Sequence, residues 1–172
     1  ISSFGTADQL LELLKEDKLD LIVTSKRVQT PGIEYQKFME EEFVIVAPES
    51  WEIPDTDNQE FIEEWLSSQN WLSYGLDLPI IRRMWREHFK KRPQIRPVHI
   101  IPNLHMLLTA VENGVGLSVI PTYLLSASAE ATTSKVIFEK LSVKNELYFA
   151  YHLKDKHLPQ IHEMMTIISE ED

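Results

Sequence analysis

The chain has 172 residues, of which 43% are apolar and none is cysteine, and its 27 acidic against 17 basic side chains give a formal charge of −10. This length admits one domain or two small lobes, and the lack of thiols excludes disulfides, cysteine nucleophiles, redox dithiols and thiolate metal sites. The charge disfavours non-specific binding to nucleic acid or anionic membranes, and no apolar run approaches the roughly 20 residues of a membrane span. The chain opens at Ile1 rather than Met, with no signal-type apolar segment, and is expected to be a fragment.

In chain order, Thr6-Ala7-Asp8-Gln9 has the form of a capping box and predicts a helix from Ala7, with Leu10, Leu13 and Leu14 on one face. Residues 19–23 follow as a short, apolar and partly β-branched strand and 43–47 as a continuously apolar one, with the acidic run Glu40, Glu41 and Glu42 as the solvated start of the second. Helices are predicted over 59–67, 78–90, 104–113 and 121–127. Phe61, Ile62, Trp65 and Leu66 form the apolar stripe of the first, Ile81, Trp85 and Phe89 that of the second, and Leu104, Leu107, Leu108 and Val111 that of the third. Asp77 and Asn103 are candidate N-caps, Gly114 a candidate helix stop, and 115–120 another buried strand. Apolar stretches at 136–141 and 147–151 precede a last helix with Leu158, Ile161, Met165 and Ile168 inward. Alternating strands and helices predict an α/β fold with a largely parallel sheet.

Composition shifts at 48–58 and 126–134 mark two crossovers between lobes. The expected division is 1–48 plus 135–172 as a discontinuous subdomain I and 49–134 as subdomain II.

Catalytic and metal-binding motifs are missing from the sequence. The six histidines include no HExxH pattern, and there is no GxSxG or phosphate-binding glycine loop. No cofactor and no metal are expected. Six basic residues crowd into 82–92: Arg82, Arg83, Arg86, Lys90, Lys91 and Arg92. They read first as a solvated helix face, with an oligomer contact as the alternative. The better signals are small polar residues where strands end and helices begin, because ligands of doubly wound sheets bind there. Thr6, Ser25, Ser73, Tyr74, Pro102 and Asn103 occupy such places, although Thr6 and Asn103 also suit helix caps and Ser73 suits a strand interior.

Residues 10–23, Leu-Leu-Glu-Leu-Leu-Lys-Glu-Asp-Lys-Leu-Asp-Leu-Ile-Val, resemble the helix and L-D-hydrophobic strand of the effector-binding domain of LysR-type transcriptional regulators. Residues 111–121, Val-Glu-Asn-Gly-Val-Gly-Leu-Ser-Val-Ile-Pro, resemble that family's V-x-x-G-x-G-hydrophobic-hydrophobic-P segment, and 41–48 its strand leading to the first crossover.

The resemblance implies a type 2 periplasmic-binding-protein-like fold of two Rossmann-like subdomains joined by two crossovers. It also implies an effector in the cleft between them, and a bacterial, cytoplasmic homodimer or higher homo-oligomer. DNA would be read by an N-terminal winged helix-turn-helix outside this sequence, and the first strand and helix of the effector domain would precede Ile1. By position Thr6, Ser25, Ser73, Tyr74, Pro102 and Asn103 match cleft-lining residues, and their hydroxyls and amide favour a polar or anionic small molecule. A solute-binding protein of a transport system with the same fold is the alternative, followed by an enzyme on this fold, for which the sequence supplies no placeable acid or base.

Overall fold

A computed structural model of the chain describes residues 3–127 and 133–170. The chain divides into two compact units, 1–40 with 145–172, and 41–144.

In the first unit α1 (Ala7–Lys15) begins as expected: the Thr6 hydroxyl accepts from Gln9 N at 3.3 Å, and Gln9 Oε1 accepts from Thr6 N at 3.0 Å. The strand β1 (Leu21–Thr24) pairs antiparallel with β7 (Val143–His152), placing Ile22 opposite Ala150 and Val23 opposite Phe149. Alternation along these strands divides the core in two. Ile22 and Ala150 pack with Leu11 and Leu14 of α1, whereas Phe149 and Tyr151 pack with Ile161 and Met165 of α6 (Pro159–Glu170). Of the four residues expected inward on the last helix, Leu158 lies ahead of it and is exposed.

The second unit is built on the C-terminal part of β2 (Ile33–Pro48), which lies between β5 (Ser118–Pro121) and β6 (Ser134–Ile137). Ile45 is paired with Val119 on one side and Ile137 on the other. Phe43 to Pro48, each paired with one or both of these strands, are all buried. Phe43, Ile45 and Ala47 face α2 (Gln59–Ser68) and α3 (Pro79–Met84), meeting Ile62, Leu66, Ile81 and Met84. Val44 and Val46 face the opposite layer, meeting Leu107, Leu108 and Val111 of α4 (Leu104–Glu112) and Leu124 of α5 (Thr122–Ala127). A continuous apolar run therefore marks a strand covered on both faces. The remaining strands, β3 (Leu72–Ser73) and β4 (His99–Ile100), are short and parallel, and Trp71 forms a parallel bridge with Leu117.

The sheet is not largely parallel: β1–β7, β2–β5 and β2–β6 are antiparallel. The long strands β2 and β7 carry the chain from one unit into the other, so they do not arrive through a helical return, the connection that makes neighbouring strands parallel. The compact units divide at 40/41 and 144/145, and residues 43–48 of β2 pair with β5 and β6 of the second unit. The second expected crossover, 126–134, includes residues outside the described part. The acidic run 40–42 lies within β2, not at its start.

The helix expected over 78–90 is α3 followed by a π-helical turn (Trp85–Phe89) that ends at Lys90 in the left-handed region. Leu78, not Asp77, occupies its N-cap, at φ 50 and ψ 51, with no side-chain cap. Phe61 points outward, while Ile62 and Leu66 are buried. Within the basic segment, Lys91 binds Glu63 at 2.9 Å and Arg83 binds Glu87 at 2.7 Å. Glu63 also accepts from Trp85 Nε1 at 3.2 Å, and the Lys91 hydrogen bond chiefly holds its carboxyl below the usual carboxylate range.

Asn58 caps α2, its Oδ1 accepting from Glu60 N at 3.0 Å and Phe61 N at 3.1 Å. Replacing Asn58 by alanine removes both bonds and should cost about 1 kcal/mol. Urea unfolding would read this as a lower midpoint at unchanged slope; an unchanged midpoint would show that water serves those two amides equally well.

Candidate functional site

At the carboxyl end of β3 the second unit contains a cavity of about 190 Å³. Its wall is assembled from five elements and the turn between two of them. Phe43 comes from β2, Ser73 from β3 with Tyr74 following it, Leu78, Ile80 and Ile81 from the start of α3, Leu104 from the start of α4, and Ser118 and Val119 from β5.

The local folding of each segment explains the wall. Ser73 is buried and its hydroxyl closes a turn, donating to Gly75 O at 2.8 Å and accepting from Gly75 N at 3.3 Å. That turn sends Tyr74 to the rim, where it is 49% exposed and its hydroxyl forms no hydrogen bond among the described residues. Leu78 is 5% exposed despite its left-handed backbone, a conformation that costs a leucine about 1–2 kcal/mol. Strain of this kind persists only where the surroundings over-determine it, and here it turns an apolar side chain into the cavity wall. Ser118, also buried, spends its hydroxyl proton on Leu72 O at 2.9 Å.

No Asp, Glu, Lys, Arg or His is among these lining residues. Both serine hydroxyls already donate within the fold, so the wall offers apolar contact and little else. Seven of the nine described lining residues are Phe, Tyr, Leu, Ile or Val.

Of the six residues singled out from sequence, Ser73 and Tyr74 line the cavity. Asn103 is the N-cap of α4, its Oδ1 accepting from Met106 N at 3.0 Å. Pro102 and Asn103 are exposed and stand beside Leu104 without forming the wall. Thr6 and Ser25 belong to the first unit, Thr6 as the cap of α1 and Ser25 exposed after β1. Neither lines the narrow crevice there, which is bounded by Asp8, Thr24, Lys26 and Tyr35 among others and has no room for a water molecule. Sequence reading missed Phe43, Leu78, Ile80, Ile81, Leu104, Ser118 and Val119. Ser118, a hydroxyl inside the apolar run 115–120, was the one available signal.

Among the described residues no helix is long and apolar enough to cross a membrane. A family model described as the LysR substrate binding domain matches residues 3–172. The HTH-type transcriptional regulator AbaB of Streptomyces antibioticus is 26% identical over 159 residues, which cover 86% of this chain and 50% of the regulator. The chain thus spans about half the length of that curated relative. Among solved structures, the C-terminal domains of a LysR family protein from Agrobacterium tumefaciens superpose with a TM-score of 0.73 at 16% identity, over 96% of this chain and 80% of that one. The regulatory domain of CcmR from Synechocystis, in complex with 2-PG, gives 0.69 at 15% identity, over 96% and 78%. The fold is accordingly the type 2 periplasmic-binding-protein-like α/β fold that the motifs at 10–23 and 111–121 imply.

Proposed function

The chain belongs to the LysR substrate-binding domain family, and from that premise we propose that it is the effector-sensing part of a transcriptional regulator, with its ligand site at the Ser73–Tyr74 cavity. The carrying observation is that cavity: about 190 Å³ at the end of a sheet strand, where ligands of open α/β sheets bind. The CcmR regulatory domain, similar in fold, is in complex with a small molecule, 2-PG. The regulator AbaB, similar over 86% of the chain, disfavours the transport-protein and enzyme readings.

Such a sensor works by difference. A small molecule shifts the regulator only as far as its affinities for the regulator's states differ, and a ligand bound equally well by all of them signals nothing. Control of DNA binding through an N-terminal winged helix-turn-helix, self-association through this part of the chain and a cytoplasmic location belong to the same proposal.

All four tryptophans, Trp51, Trp65, Trp71 and Trp85, lie in the second unit, so tryptophan fluorescence reports its unfolding. A panel of organic acids, amino acids, sugars, inorganic anions and neutral aromatic compounds should contain at least one that raises the midpoint saturably. Ligand at 100 times its dissociation constant adds about 2.7 kcal/mol, roughly 5–10 °C for a chain of this size. In the full-length regulator the same compound should alter operator affinity. A compound that stabilises the chain and leaves operator affinity unchanged would sink the sensor reading.

A further inference from the structure

We propose that the cavity selects an uncharged, compact apolar body, an aromatic ring or a branched alkyl group, carrying one hydrogen-bonding group that meets the Tyr74 hydroxyl at the rim. The inference rests on the sensor reading above and narrows its ligand class. It departs from the polar or anionic effector that the strand-end hydroxyls and amide favour.

Three observations carry it. First, the described lining residues include no ionisable side chain other than Tyr74, and a carboxylate or phosphate seated against Phe43, Leu78, Ile80, Ile81, Leu104 and Val119 would lose its hydration with no cation among them in return. Second, the serine hydroxyl protons that an anion or carbonyl would need are already spent, Ser73's on Gly75 O and Ser118's on Leu72 O. Tyr74, half-exposed and without a hydrogen-bond partner among the described residues, is the lining hydroxyl whose proton is uncommitted. Third, the volume is restrictive. An apolar cavity of about 150 Å³ accommodates benzene, so about 190 Å³ fits such a ring with two or three further heavy atoms. Leu78, 5% exposed with its backbone in the left-handed region at φ 50, adds an apolar side chain to that wall.

The test is calorimetric titration of the chain with benzyl alcohol, its charged counterpart benzoate, and two small anions, lactate and inorganic phosphate. Benzyl alcohol should bind at least tenfold more tightly than benzoate, with neither small anion binding comparably. Ile80→Trp, which fills the cavity from its rim, should weaken benzyl alcohol at least tenfold while the tryptophan-fluorescence midpoint stays within a few degrees. Leu104→Phe fills it from α4 and gives an independent second reading should Ile80→Trp unfold. Tyr74→Phe should weaken benzyl alcohol severalfold and leave toluene unchanged. Benzoate, lactate or phosphate binding as tightly as benzyl alcohol, and indifferent to Ile80→Trp, would overturn the ligand class and leave the sensor reading standing. No binding by any of these probes would overturn the cavity as the site, and the sensor reading would then be judged on the wider panel and on operator affinity.

Discussion

Replacing Trp71 by alanine should lower the stability of the second unit by about 3–5 kcal/mol and its fluorescence midpoint by roughly 10 °C or more. Trp71 is fully buried and joins three parts of the core. Its ring meets Trp85 edge-on, with centroids 5.6 Å apart and planes at 76°. Its indole Nε1 donates to Leu66 O at the end of α2 at 2.7 Å. Its backbone bridges Leu117, and its carbonyl accepts from Val98 N at 2.8 Å. Alanine keeps the backbone links and removes the rest, leaving a void between α2 and the π-helical turn that a close-packed interior closes only in part.

Trp71→Phe separates the two losses. It keeps an aromatic ring against Trp85 and gives up the indole donor, yet Leu66 O still accepts from Gln69 N at 3.3 Å and is not orphaned. Its cost should stay below half that of alanine, because a lost bond whose acceptor retains a partner is worth about 1 kcal/mol. Three tryptophans remain in either variant to report unfolding. Equal losses for Phe and Ala would mean that the hydrogen bond, not the packing, holds this part of the core.

Gly116→Ala should cost about 3 kcal/mol, at the upper end of overpacking effects. A Cβ at residue 116 would stand 2.4 Å from Asn70 O and 3.1 Å from Asn70 C, and both are backbone atoms. Asn70 cannot simply withdraw, because its carbonyl accepts from Leu117 N at 2.9 Å while Leu72 N donates to Leu117 O at 2.9 Å. Relief of the clash would pull apart the bridge that brings β3 alongside β5, and with it the Ser73 and Ser118 sides of the cavity. Gly114, two residues earlier, is glycine for another reason: its φ is +80 with nothing within 4 Å of an added Cβ. Gly114→Ala should therefore cost only about 1 kcal/mol of backbone strain. Chemical denaturation of the two variants, followed by tryptophan fluorescence, compares them directly. A Gly116→Ala midpoint no lower than that of Gly114→Ala would show that Asn70 yields, and would remove close approach as the reason for the second glycine of the V-x-x-G-x-G segment.

Features set by short-range chemistry were legible in the sequence. The Thr6–Gln9 box, the Asn103 cap and the stop at Gly114 depend on residues within three or four positions of one another, and each forms where its local chemistry puts it. The buried strand at 43–47 was legible because covering both faces demands uninterrupted apolar character. The hydroxyls and amide proposed as ligand contacts were legible only as residue types. Local backbone groups compete for the same lone pairs and protons, so Thr6 and Asn103 cap helices and Ser73 closes its own turn.

What the tertiary structure decided depends on partners distant in the chain. Strand direction was decided by β2 and β7 passing between units, which hydrophobic periodicity does not record. The acidic residues 40–42 lie inside the long strand β2, against a composition that reads as a solvated strand entry. Leu78 takes a left-handed N-cap that no propensity favours. The cavity wall is the clearest case. Phe43, Ile81, Leu104 and Val119 read in sequence as core, and whether an apolar side chain meets another side chain or borders a space depends on how elements tens of residues apart close upon each other.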